Sequence, residues 1–524
     1  MNPSIKTEDD LLLFKFTYNQ DFISRAKLLG MRWSPTRRVW YAKITRMFIN
    51  DFFKIFPEVI CPPEFSSQIS TSPDYSDYSP SDYLLRHQHD SAVLATNRPR
   101  YCFFHGIGSG KTLLGIELVK QKGVKTLAVT PLSVIEDAWM ADLRDFAPEI
   151  NVVDLWTLKR KGRNWTRGLD KIQLGVINFD SFRIAAEELK KVGFNQLLID
   201  ESARLKDARA KTTQVLIEFA ENMDFCYLFS GNPAPNNELE YFNQARAVDP
   251  TKFGRSFYKF RAKYFYSCGY GGYKWKMKED MREEFLNKLA EISEVIRTED
   301  ITDLPPFTNN IRKVYLDITE RKLYEDMRKK MYIELGGQEV LAVNAAVKIM
   351  KLREGTSGFY YDDDKKAIIA GRSKFNELEQ LLEEIGDHQV LIWTHFHYEA
   401  DEVQKLLDGK TWGRADGTIV SRAKKDETIK AFKKGDLQYL IAHPGSIRHG
   451  IRLENCTYAI FFSLSHSYEF FDQCCGRIWR KGQTKKCSFY FLIADRSVDE
   501  VIMKALENKG KVVEEVFRYI KEGK

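Results

Sequence analysis

No run of about 20 consecutive apolar residues occurs in the 524-residue chain, which argues against a membrane-spanning helix. The opening residues, MNPSIKTEDD, show no signal-peptide pattern. Together these lead to the expectation of a soluble protein in a bacterial or host cytoplasm, or in a nucleus if the source is eukaryotic, without a membrane partner. The eight cysteines form no CxxC pair, and Cys474 and Cys475 are adjacent, so neither a zinc-site spacing nor a disulfide framework is present. Reduced thiols acting as small buried hydrophobes are expected. No repeat of solenoid length is found, which excludes a stacked-repeat architecture. There is also no large excess of one charge: 80 Lys and Arg face 73 Asp and Glu, a net +7. That balance permits nucleic-acid binding without requiring it.

What is present is ample core material, 43 % hydrophobic and 13 % aromatic, and room for roughly three domains. Residues 10–62 form a small basic and aromatic unit, expected to be α+β. Residues 63–82 contain SSQISTSPDYSDYSPS, too polar to bury a core and read as a linker. From 83 to 250, apolar runs alternate with amphipathic helical patterns: TLAVT, LGVINF, QLLID and FCYLFSG. The pattern resumes over 376–524 with QVLIWTHF, LQYLIAH, YAIFFS and CSFYFLIA. Continuous apolar strands between helices indicate parallel sheets covered on both faces. The fold class expected is therefore α/β, with two parallel-sheet lobes. Residues 251–375 are assigned to a mostly helical insertion and the start of the second lobe.

Three segments carry chemistry. In YCFFHGIGSGKTLLGIELV an aromatic strand runs into a glycine-rich loop and then a helix. Such a loop turns backbone N–H groups toward phosphate oxygens, and the helix dipole assists. Gly106, Gly108, Ser109 and Gly110 would cradle ATP, Lys111 would reach the β- and γ-phosphates, and Thr112 would ligate Mg²⁺. The full GxxxxGK[ST] spacing would need glycine at His105, a residue to which the sequence assigns no role. In QLLIDES a strand delivers Asp200 and Glu201 to its carboxyl end, where ligands of open α/β sheets bind. Asp200 would hold Mg²⁺ and Glu201 would orient the attacking water. In QCCGRIWRKGQ, Arg477 and Arg480 lie three apart and would share a helix face, suited to charge developing on a γ-phosphate.

These segments, in this order, resemble the SNF2-like branch of superfamily-2 helicases from about Leu84 to Lys509. LLRHQ is similar to the Q motif, which implies that Gln88 reads the adenine edge. GIGSGKT resembles motif I, VTPLSVIEDAWMADLRDFAP motif Ia with Trp139, DESA motif II, and FSGNPAPNN motif III with Asn232 where the family usually has Thr. In the second lobe VLIWTHF resembles motif IV and HPGSIRHGIRLENC motif V, while Gln473, Arg477, Arg480, Gly482 and Gln483 match motif VI. The resemblance implies two RecA-like lobes, ATP and Mg²⁺ as cofactors, and movement on DNA. Ala203 departs from the family, which commonly has His there, linking the ATP site to motif III. Hydrolysis is expected to survive that change with altered coupling.

In the N-terminal unit, from Leu11 to Phe56, nine Lys or Arg residues oppose only Asp21 and Asp51. Phosphates attract such cations, and aromatics stack on unpaired bases. Arg32, Arg37, Arg38, Trp40 and Lys43 are the candidate DNA contacts, within RWSPTRRVWY, read as two strands around a proline turn. Most aromatics here are expected in the core of the unit. The unit resembles the HARP-type module of annealing helicases, which implies recognition of branched or partly single-stranded DNA. A second basic and aromatic stretch, 255–278, reads either as a packing element with a loop or as a DNA-tracking insertion.

The expectation is a DNA-dependent ATPase acting on duplex, forked or branched DNA in fork regression, branch migration or annealing. The alternatives are a translocase that displaces proteins such as RNA polymerase, and a nucleotide-regulated DNA-binding switch. RNA is disfavoured by the motif VI signature.

Overall fold

Strands that are apolar on both faces need helices on both sides, and in the computed structural model of the chain they obtain them. The structure describes all residues except 1–2, 67–74, 76, 161, 163–164, 269–273, 302–303, 334–341, 448–450, 481 and 523–524. Much of the expected linker, part of the stretch 255–278 and the centre of motif V lie outside the described residues. The chain divides into two compact units, Met1–Ile301 with Val513–Lys524, and Thr302–Val512.

The first unit opens with an antiparallel sheet of β1 (Ser4–Glu8), β2 (Leu11–Lys15), β3 (Arg32–Ser34) and β4 (Val39–Lys43), in the order β1-β2-β4-β3. Helices Gln20–Leu28 and Arg46–Ile55 complete it, capped by the side chains of Asn19 and Thr45. Phe14, Trp40, Phe48, Phe52 and Phe56 form its core. It is the small α+β unit expected, although it begins at β1, ahead of residue 10.

Helix Arg46–Ile55 seats this module on the rest of the unit. Arg46 pairs with Asp224 at 2.8 Å, Lys43 with Glu218 at 3.0 Å, and the Met47 N–H donates to the Glu221 carbonyl at 2.9 Å. Arg255 bridges the junction, 2.5 Å from Glu221 and 3.9 Å from Asp51. Burial pushes the Asp51 carboxyl up to about 6, against the pull of Arg255.

The main sheet of this unit holds β5 (Arg100–His105), β6 (Thr126–Thr130), β7 (Val152–Asp154), β8 (Leu174–Asn178), β9 (Gln196–Asp200) and β10 (Phe225–Phe229). After a small antiparallel pair, β11 (Phe265–Cys268) and β12 (Lys274–Met277), comes the edge strand β13 (Ser293–Ile296). The order β13-β5-β10-β9-β6-β8-β7 is parallel throughout. The unit thus extends past residue 250, where the sequence reading had ended the first lobe. The reason is local: β13 pairs with β5, and its short SEVI segment lacks the long apolar run of the inner strands. The end of the supposed linker is also ordered. Tyr78, Ser81 and Tyr83 all donate to the buried Glu117 carboxylate on the helix Lys111–Lys122, at 2.6–3.0 Å.

In the second unit β14 (Phe307–Val314) is followed by a small hairpin of β15 (Phe359–Tyr361) and β16 (Ala367–Ile369). Then come β17 (Val390–Trp393), β18 (Trp412–Ala415), β19 (Tyr439–Ala442), β20 (Tyr458–Phe461) and β21 (Cys487–Ala494). The parallel order is β14-β21-β20-β17-β19-β18. Leu391, Trp393, Leu440 and Phe461 belong to one buried cluster, and Val390, Ile392, Ile441 and Ile460 to another. Alternate residues of one strand feed different cores, the signature of a sheet covered on both faces. The region 251–375 is therefore not only helical: helices Glu279–Ala290 and Ile318–Ile333 are interleaved with strands that complete both sheets. Among the described residues, no helix is long and apolar enough to cross a membrane.

Candidate active site

The chemistry gathers at the carboxyl ends of three neighbouring strands, β5, β10 and β9, in the first unit. β5 ends at His105, the loop 106–110 follows, and the helix starts at Lys111. Gly110 caps that helix at φ 73° and Gly108 lies at φ 80°, a region side-chain-bearing residues avoid. A Cβ on Gly106 would fall 2.2 Å from the Thr298 hydroxyl oxygen. The loop is thus a backbone cradle that side chains would fill. The Lys111 ammonium sits in it, donating to the His105 and Gly106 carbonyls at 2.9 and 3.1 Å. Thr112 is half-buried in the first helical turn, and Ser109 is buried with a hydroxyl that makes no hydrogen bond among the described residues.

Gln88 lies against the phosphate loop. Its Nε2 donates to the Ser109 and Gly110 carbonyls at 2.9 and 3.0 Å, and its Oε1 accepts from the Leu85 N–H at 2.8 Å. The amide is buried and braces the phosphate loop. His87 braces the same loop through the Ser109 carbonyl at 2.8 Å. His105 gains a role the sequence did not suggest. It is fully buried, with Nε2 2.9 Å from Glu294 of β13, and Glu294 also accepts from Ser91 at 2.6 Å. Burial lowers its pKa.

Asp200 ends β9, with Oδ2 accepting from the Thr130 hydroxyl at 3.0 Å and the Trp139 indole N–H at 3.1 Å. Trp139 lies in the π-helical turn Ile135–Met140, against Gly115 of the phosphate-loop helix. Glu201 is held at φ 64°, ψ 55°, a strained backbone for a residue with a side chain. Ala203 is buried. After β10, Ser230 and Asn232 are buried, and the Ser230 hydroxyl and the Asn232 amide make no hydrogen bonds among the described residues. Gly231 packs on the phosphate loop, its Cβ position 3.5 Å from the His105 carbonyl oxygen. A glycine cradle, a cation inside it, a carboxylate oriented through one oxygen and spare buried polar groups beside it fit a magnesium-bound nucleotide.

Arg477 and Arg480 lie in the second unit and do not share a helix face. The helix Tyr468–Cys475 stops at Gly476, and both arginines occupy the turn beyond. Both are buried, and Arg480 lies near Arg452 and Arg477. Burial, with Arg452 and Arg477 beside it, pushes Arg480 down to about 10, so its guanidinium is still charged at neutral pH. Gln483 holds the turn, donating to the carbonyls of Glu454, Cys456 and Ile478 at 3.0–3.2 Å, next to Gly482 at φ 102°.

Of the five N-terminal candidates, Arg32, Arg37, Arg38 and Lys43 are exposed. Arg37 makes a two-pronged pair with Glu8 at 2.9 and 3.2 Å, and Lys43 is paired with Glu218. Trp40 belongs to the core and is 9 % exposed. The strand register puts Trp33 opposite Trp40, and Trp33 is 47 % exposed. The two rings share one face of the sheet, with centroids 5.7 Å apart, and Trp33 is the more exposed because β3 is the edge strand.

A family model described as SNF2-related domain matches residues 87–361, and one described as Helicase conserved C-terminal domain matches residues 373–482. Protein p41 of Acyrthosiphon pisum secondary endosymbiont phage 1 is 24 % identical over 433 residues, covering 78 % of this chain and 92 % of p41. The SWI/SNF-related matrix-associated actin-dependent regulator of chromatin subfamily A-like protein 1 of Drosophila melanogaster is 23 % identical, over 83 % of this chain and 56 % of that protein. The DNA annealing helicase and endonuclease ZRANB3 of Homo sapiens is 22 % identical, over 86 % of this chain and 42 % of that protein. The chain thus spans about half the length of these two animal relatives.

Proposed function

The chain belongs to the SNF2-related family of DNA-dependent ATPases, and from that premise we propose that it hydrolyses ATP to move along duplex DNA and acts at forked or branched sites. The observation that carries the ATPase chemistry is the convergence of Lys111, Asp200, Glu201 and the Ser230–Asn232 turn at the ends of adjacent parallel strands. Gln88 and His87 hold the loop in shape, and Lys111 exchanges its carbonyl partners for the β- and γ-phosphates. Thr112 and Asp200 are the residues that would hold magnesium, which supplies charge neutralisation at the phosphates when bound. Glu201 orients the attacking water, and Arg477 with Arg480 stabilises the charge that develops on the γ-phosphate.

The preference for branched DNA rests on the N-terminal module. Arg32 and Arg38 offer cations to phosphates, and Trp33 offers a face to an unpaired base. The module is fastened to the ATPase unit by Arg255, Arg46 and Lys43, so a base held there would be at a fixed distance from the motor. The likeness to a relative whose name includes DNA annealing helicase agrees with this reading.

The experiment compares ATP turnover stimulated by plain duplex, forked duplex and four-way DNA, for the parent and for Arg32→Glu/Trp33→Ala/Arg38→Glu. Forked and four-way DNA should stimulate more than duplex, and the triple variant should lose that difference while keeping duplex stimulation. Equal stimulation by all three would favour a translocase that displaces bound proteins. Tight ATP-dependent DNA binding without turnover would favour a nucleotide-regulated switch.

A further inference from the structure

The helix Tyr241–Val248 is buried along nearly all its length, largely through apolar residues such as Tyr241, Phe242 and Val248, yet two adjacent positions are amides, Asn243 and Gln244. Buried amides are costly unless each polar atom is engaged. Both are engaged, and with the same neighbourhood. The Ser202 hydroxyl donates to Gln244 Oε1 at 2.7 Å, and Gln244 Nε2 donates to the Pro233 carbonyl at 2.7 Å and the Glu240 carbonyl at 3.2 Å. Asn243 donates to the Leu205 carbonyl at 2.6 Å. One fully buried side chain thus joins the turn after β9, which bears Glu201, to the turn after β10, which bears Asn232.

Both turns need holding. Glu201 sits in left-handed backbone geometry, which persists only where its surroundings over-determine it, and Ser202 is the next residue. Asn232, next to Pro233, keeps a buried amide without a hydrogen bond among the described residues. At position 203 this chain has a buried alanine that cannot bridge the two turns by hydrogen bonding.

We propose that Gln244 is a positioning residue for ATP hydrolysis, locking the Glu201 turn and the Asn232 turn into one body through Ser202 and the Pro233 carbonyl. This rests on the reading of Glu201 as the group that orients water. The Ser202–Gln244 pair sets where the carboxylate points, while the phosphate loop and its grip on the nucleotide stay untouched.

The test uses the full chain with saturating duplex DNA and compares Ser202→Ala, Ser202→Thr, Gln244→Leu and Ser202→Ala/Gln244→Leu. The double variant removes both members of the pair and leaves no buried hydroxyl orphaned, so it keeps the comparison meaningful if Gln244→Leu alone fails to fold. Displacing a catalytic group by a fraction of a bond length lowers kcat by roughly 10- to 100-fold. The expected result is a fall of that order in kcat for Ser202→Ala and for the double variant, with KM for ATP and the melting temperature near the parent's. The double variant should be no worse than the poorer single one, because both act through one link, and Ser202→Thr, which keeps the hydroxyl, should restore most of kcat. A folded double variant with parental kcat would overturn the proposal, as would a parallel loss of kcat, ATP affinity and stability. Glu201→Gln is measured alongside. Its normal turnover would remove the reading of Glu201, whereas its inactivity together with a parental double variant would remove only the role of Gln244.

Discussion

The indole N–H of Trp139 donates to Oδ2 of Asp200 across 3.1 Å, and the Thr130 hydroxyl donates to the same oxygen. One oxygen is thereby tied down, which fixes the rotamer of the carboxylate and the direction of the other. Trp139→Phe removes the donor together with the outer indole carbons that pack against Gly115. Misorienting the Asp200 carboxylate should lower kcat by roughly 10- to 100-fold, and the lost hydrogen bond and core packing should lower the melting temperature as well. Steady-state kinetics beside thermal unfolding checks this.

Gly110 is the second sensitive point. Its φ of 73° disfavours any side chain, and a Cβ would lie 2.1 Å from the Gln88 Nε2. Gly110→Ala should displace Gln88 and distort the loop, with a left-handed cost of about 1–2 kcal/mol. Loss of nucleotide binding by at least tenfold in a fluorescent-analogue titration is expected, and parental affinity would show the loop to be more tolerant than its geometry implies.

The two N-terminal tryptophans should separate cleanly. Trp40→Ala opens the core of the module and should cost about 3–5 kcal/mol of its stability. Trp33→Ala, which gives up the ring contact with Trp40, should cost about 0.5–1.5 kcal/mol of stability, less than Trp40→Ala. It should also weaken binding to single-stranded or forked DNA by roughly 1–3 kcal/mol, the value of one stacked base.

Asp51 predicts a pH dependence. Burial raises its folded pKa to about 6, above the ordinary carboxylate value of 3.8, so the folded state holds its proton more tightly than the unfolded one. Its contribution is fully present below about pH 4 and is lost as pH rises through 6. Asp51→Asn should therefore stabilise the protein at pH 8, by on the order of 2 kcal/mol, and the gain should stay level down to about pH 7 and shrink as pH falls through 6 toward 5. Unfolding curves at both pH values measure it.

Legibility followed the range of the interactions. The inner strands β6, β8, β9, β10, β17, β19, β20 and β21 announce themselves as short apolar runs, and the phosphate loop as glycine between strand and helix. The edge strands β13 and β14 do not, because one side of an edge strand lacks a partner and their residues are partly polar: FTNNIRKV alternates in burial. Sequence spacing also put Arg477 and Arg480 on a helix that Gly476 ends. The partners that shape the site were out of reach for a different reason. Glu294 lies 189 positions from His105, and Gln244 lies 42 from Ser202, and no local pattern connects such residues. Likewise, which of the basic N-terminal residues are spent on Glu8 and Glu218 is a fact of tertiary packing.

The central claim is ATP hydrolysis driven by DNA, and steady-state ATP turnover of the full chain, alone and with duplex DNA, tests it most directly. The account predicts slow turnover alone, strong stimulation by duplex DNA, weak stimulation by RNA, and near-complete loss of turnover with retained ATP binding in Arg480→Ala. Turnover indifferent to DNA, or an Arg480→Ala variant that hydrolyses ATP at the parental rate, would contradict it.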